Sequence, residues 1–146
     1  MNLSPKKARS EWVKALRSGK YRQGTHVLRS PVDETYCCLG VACDLYADLE
    51  DNQMAKWEDD TAWTFLGHVC TMPNQVGRWL GIKPKSSFSQ YLSARNDSGE
   101  TFEKIADHIE MLEQVKDKEA AERSRQLTKL TDKHNLDKEV PTDEAD

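Results

Sequence analysis

No run in this sequence approaches the ~18 consecutive apolar residues that a membrane-spanning helix needs. The opening MNLSPKKARS has charges but no apolar stretch behind them, so an export signal is not expected either. Both absences lead to the expectation of a protein that works in the cytoplasm, where its four cysteines stay reduced thiols. Glycine is scarce: seven residues, none grouped, which leaves little material for a backbone phosphate cradle. Gly-x-Ser-x-Gly, His-Glu-x-x-His, a phosphate loop and a dinucleotide fingerprint are all missing. Without a local arrangement of nucleophile, base and orienting group, the expectation is a protein that is not an enzyme. No cofactor is expected.

What is present is charge. Charged residues make up 32% of the chain against 37% hydrophobic ones, and the mean hydropathy is −0.80. Residues 1–30 carry eight lysines and arginines against Glu11 alone, whereas the rest holds 24 acids against 13 bases. The apolar residues are concentrated before position 113, so a core is expected there.

Periodicity divides the chain. Ser4-Pro5 is a good helix start, and Ala8, Trp12, Ala15 and Leu16 share one face, predicting a helix over 5–18 that Gly19 ends. Lys6, Lys7, Lys14 and Arg17 lie on its opposite face. A loop over 20–24 leads to an expected short strand at 25–29. Residues 36–46 form the most apolar stretch in the chain and predict a central buried helix to about 49, in which Gly40 marks the close approach of a neighbour. Residues 50–60 read as acidic and irregular, and 61–71 as a strand or short hairpin. Pro73 opens a short helix through Trp79 and Leu80, closed by Gly81. Residues 82–100 read as loop, with Asn96-Asp97-Ser98-Gly99 as a turn. Phe102, Ile105, Ala106, Ile109 and Leu112 then form the clearest helical stripe.

These readings give a small α+β domain, mainly helical, with a short strand or hairpin element and a long charged C-terminal helix. The boundaries are 1–115 for the globular domain, 116–135 for the helical extension and 136–146 for a disordered acidic tail.

Three groups of residues invite chemistry. Cys37, Cys38, Cys43, His68 and Cys70 are thiol and imidazole donors of the kind that hold zinc, but a helix would point Cys38 and Cys43 about 140° apart. Burial as small hydrophobes explains the cysteines more simply. Lys14, Arg17, Lys20, Tyr21, Arg22 and Gln23 form a basic surface with an aromatic ring, suited to a phosphate-containing ligand, a nucleic acid or an acidic protein patch. Neutralisation by the chain's own acids is the competing reading. Asn96 and Asp97 are turn formers first and ligand contacts second. His108 and His134 are expected on solvated helix faces. Leu127 and Leu130 are the anchors available for a partner, or for homo-oligomer formation through the C-terminal helix.

Three blocks together carry a resemblance: 12–24, the apolar 36–46, and Asn96-Asp97-Ser98-Gly99 leading into Phe102 and 105–110. In that order they resemble a group of small proteins encoded by tailed bacteriophages and prophages. The resemblance implies an accessory protein of the host-cell cytoplasm; by analogy with small phage accessory proteins that lack enzymatic motifs, it is expected to bind and inhibit, sequester or redirect a host factor, an anti-defence role among these expectations. The resemblance brings no catalytic residue with it.

Overall fold

The computed structural model describes residues 3–49, 55–59, 63–83 and 87–144, with side chains through Thr131. The chain is α+β and mainly helical, with two small antiparallel hairpins and a long C-terminal helix. Residues 1–110 form one compact unit and residues 111–146 a second.

Helix α1 covers Pro5–Arg17, with the Ser4 hydroxyl accepting the Lys7 N–H and proline in the first turn. Its apolar face buries Ala8, Trp12 and Leu16, and the Trp12 indole donates to the Cys38 carbonyl at 2.9 Å. Buried Arg9 donates to the Leu80 carbonyl at 2.7 Å, satisfying the end of the short helix α3 (Asn74–Trp79). The first hairpin pairs β1 (Arg29–Ser30) with β2 (Thr35–Tyr36), and the second pairs β3 (Trp57–Asp59) with β4 (Trp63–Phe65). Arg29 ties them together: its guanidinium lies 4.1 Å from the Trp63 ring centre, faces Tyr36 and Trp57, and pairs with Glu34 at 2.9 Å.

Helix α2 (Cys38–Ala47) is the centre of the core, with residues 38–43 all buried. Gly40 is where Leu28 crosses: a Cβ there would stand 1.8 Å from the Leu28 carbonyl oxygen. The close approach read from the sequence is thus a backbone contact. The helix starts two residues later than expected because Tyr36 pairs with Arg29 instead.

Several expectations are corrected. Residues 25–28 form no strand, because Leu28 donates to Val69 and accepts from Cys37, two unrelated partners rather than one ladder. The segment read as irregular contains β3; the rest of 50–60 falls largely outside the described residues. Residues 87–97, read as loop, are helix α4 (Ser87–Asp97). Its inward residues are Phe88, Leu92 and Asn96, an i, i+4, i+8 stripe whose third member is polar and therefore silent in a search for apolar periodicity. Gly99, at φ 99°, ends that helix in the left-handed region.

Helix α5 (Phe102–Glu144) buries Phe102, Ile105, Ala106 and Ile109 in the first unit, as its stripe predicts. Its backbone is helical through most of the expected acidic tail. In the second unit Leu127 and Leu130 are exposed. No described helix is long and apolar enough to cross a membrane.

Candidate functional site

Two of the four basic side chains of this surface, Arg17 and Lys14, face carboxylates. Arg17 pairs with Asp107 at 2.6 Å and with Glu110, and these two carboxylates hold its guanidinium above the usual range. Lys14 faces Glu11 at 3.4 Å, and Lys20 lies over the Tyr21 ring. Tyr21 itself is buried, its hydroxyl donating to Asp44 at 2.7 Å, so it offers no face for stacking on a base. Burial first, and that carboxylate second, push its hydroxyl well above the ordinary tyrosine range. Arg22 remains exposed.

Gln23 and Asn96 turn out to be internal connectors. The Asn96 side chain is fully buried; its oxygen accepts from Cys38 N–H at 3.1 Å and from Gln23 at 3.0 Å, and its amide nitrogen donates to the Gly24 carbonyl at 2.8 Å. Gln23 donates to the Glu100 carbonyl at 2.6 Å and accepts from Phe102 N–H at 3.0 Å. Two side chains thus join the loop after α1, the start of α2, the end of α4 and the start of α5. Helix starts need such acceptors. Asn96 is a helix residue rather than a turn former.

The thiols separate into two kinds. Cys37, Cys38 and Cys43 are buried in and before α2, and Cys70 is exposed. Burial pushes the Cys37 thiol up to about 11 and raises Cys38 and Cys43 strongly, which makes all three poor nucleophiles. Among the described residues no group of three His, Cys, Asp or Glu is placed to hold a metal. A disulfide-exchange reagent should therefore titrate one thiol promptly in the native chain and all four only after unfolding. Two or more fast thiols would show that α2 opens readily.

Cys70 belongs to a cleft of about 600 Å³ between α4 and the segment before α3. One wall is the outer face of α4, carrying Ser89, Gln90, Ser93, Ala94 and Asp97. The other wall carries His68, Cys70, Thr71, Met72 and Asn74, with Leu39 from α2 completing it. His68 Nδ1 lies 2.7 Å from the Thr71 hydroxyl. Asp97 accepts the His26 N–H at 2.8 Å. His26, Glu34 and Leu66, at φ 73°, 53° and 51°, hold left-handed backbone without being glycine, at a cost of roughly 1–2 kcal/mol each, and none of them lines the cleft.

Of the residues singled out in the sequence, the cleft gathers His68, Cys70 and Asp97. It leaves out Lys14, Arg17, Lys20, Tyr21, Arg22, Gln23, Asn96, Cys37, Cys38 and Cys43. Ser89, Gln90, Ser93, Thr71, Met72 and Asn74 went unread. Their signal was Ser89, Ser93 and Asp97 at i, i+4, i+8, which becomes a face only once 87–97 is known to be helical. His108, expected in solvent, has Nε2 2.9 Å from Glu100 and Nδ1 3.3 Å from the Tyr91 hydroxyl. His134 lies outside the residues with described side chains.

A family profile described as a domain of unknown function, DUF8296, matches residues 4–113, most of the chain. The chain belongs to that family. No curated protein and no solved structure matches it significantly. The DUF8296 match spans the compact first unit, and therefore both walls of the cleft. Nothing among the described residues indicates catalytic activity: no hydrogen bond among them joins the His68–Thr71 pair to Cys70 or Asp97.

Proposed function

We propose that this DUF8296 domain is a non-catalytic accessory protein that acts by binding, and that it takes its partner in the cleft between α4 and residues 68–74. The carrying observation is the cleft itself. Its volume is within the ~300–1,000 Å³ of ordinary ligand sites, and hydroxyl, amide and carboxylate groups line it together with the apolar Leu39, Met72 and Ala94. The resemblance of three sequence blocks to phage and prophage proteins supports a host factor in the bacterial cytoplasm as the partner, inhibited, sequestered or redirected by the contact. An anti-defence role fits that setting.

A nucleic-acid or nucleotide binder using the α1 face is the weaker reading. Arg17 and Lys14 are paired with carboxylates and Tyr21 is buried. A phosphate ligand in the cleft is also a poor fit, since none of its described lining residues is Lys or Arg. The exposed Leu127 and Leu130 of α5 support self-association as a second contribution.

Filling the cleft tests the proposal. Ser93→Trp places an indole on the α4 wall. Native mass spectrometry of tagged protein captured from bacterial cells should show a bound species with the wild-type chain and lose it with Ser93→Trp. An unchanged helical circular-dichroism spectrum shows that the variant folds. Retention of the same species by the folded variant refutes the cleft as the binding site.

A further inference from the structure

We propose that the ligand group entering the cleft is an organic cation, an ammonium or guanidinium, with the Asp97 carboxylate as its counter-charge. This rests on the cleft being the binding site, and it adds the chemistry of what binds there.

The charge of the lining is one-sided. Asp97 is the only carboxylate among the described lining residues, and none of them is Lys or Arg. The other polar groups are neutral hydroxyls, amides and a thiol, together with the His68 imidazole. Among the described residues Asp97 has no cationic side chain as a partner. One carboxylate oxygen accepts the His26 N–H at 2.8 Å, which leaves the second oxygen open to another donor. That backbone bond also fixes the carboxylate before any ligand arrives, so little ordering is required on binding.

The position of Asp97 adds a second, independent reason. It is the last residue of α4, where helix carbonyls build up partial negative charge. Those carbonyls add to the negative charge of Asp97, and nearby Arg95 is turned to Glu100 instead, at 3.5 Å. Around Asp97, Ser93 one turn back offers a hydroxyl and Asn74 on the facing wall offers an amide oxygen, both able to accept from the extra N–H groups of an ammonium or guanidinium. Leu39, Met72 and Ala94 suit the alkyl stem that carries such a group. The arrangement fits an arginine or lysine side chain of a peptide, or a free alkylamine of similar reach.

Amide shifts in the NMR spectrum of the full chain test this directly. The probes are N-acetyl-arginine methylamide, its neutral isostere N-acetyl-citrulline methylamide, and putrescine. The arginine probe or putrescine should shift amides of residues 68–74 and 89–97 in a saturable way. The citrulline probe should bind at least tenfold more weakly, and Asp97→Asn should cost the cationic probe at least tenfold. The asparagine oxygen can still accept the His26 N–H, so that variant keeps its fold; if it does not, the arginine–citrulline comparison in the wild-type chain decides. Saturation by putrescine alone points to a free amine, and by the arginine probe to a peptide side chain. Equal binding of arginine and citrulline probes, an indifferent Asp97→Asn, or no cleft shifts with any probe overturns the cation. None of these results depends on the Ser93→Trp capture, so the cation can fail while the cleft stands.

Discussion

Gly40→Ala is expected to cost the domain about 4 kcal/mol or more, a large part of the whole stability of a small domain. In an ordinary helix the same change stabilises by about 1 kcal/mol, because alanine is the better helix former. The sign reverses here because the added methyl would meet backbone: 1.8 Å from the Leu28 carbonyl oxygen and 2.7 Å from its carbon. Leu28 cannot retreat cheaply. Its N–H donates to Val69 at 2.7 Å, its carbonyl accepts from Cys37 at 3.2 Å, and its side chain is fully buried. Moving it breaks both bonds and opens the packing over α2. Denaturant unfolding followed by circular dichroism should give a midpoint far below wild type, or no folded baseline. A Gly40→Ala chain as stable as wild type would mean that Leu28 does not lie against α2.

Asn96→Ala should be the next most damaging change, at about 3 kcal/mol. Removing the amide strands the buried Cys38 N–H and the Gly24 carbonyl, and frees Gln23 from one of its partners. Gln23→Ala should cost less, because Gln23 is half-buried and water can reach what it leaves. The same denaturation experiment separates them. Equal, small losses for both would return Asn96 to the role of a surface turn former.

These two positions show how much of the fold was legible. Gly40 could be read, because a glycine within an apolar helix implies a close neighbour, although not which one. Asn96 could not. A search for apolar stripes sees Phe88 and Leu92 and then stops, since the residue completing the face is polar and earns its burial through hydrogen bonds made by residues 58 and 73 positions away. The helices α1, α3 and α5 carry their own caps and stripes and were readable from local signals. The hairpins are two and three residues long per strand and have almost no periodicity to offer.

The site was less legible than the fold for the same reason. The clustering of Lys14, Arg17, Lys20 and Arg22 is visible in sequence, but the acids that quench Arg17 come from α5, some ninety residues later. Conversely, Ser89, Ser93 and Asp97 look like loop residues until α4 exists, and only the fold brings His68, Cys70 and Asn74 opposite them. Charge along the chain advertises a surface; it does not reveal which charges are already spent.

The central claim is that binding takes place in the α4 cleft rather than on the basic α1 face. The direct measurement is a parallel capture from bacterial cells, read by native mass spectrometry, with wild type, Ser93→Trp, and the combined Lys14→Glu, Lys20→Glu, Arg22→Glu variant. Arg17 is left intact because its carboxylate pairs are structural. The bound species should vanish with Ser93→Trp and persist with the charge-reversed chain. Loss with the charge-reversed chain and survival with Ser93→Trp, both folded, would contradict the account and return the function to the basic face.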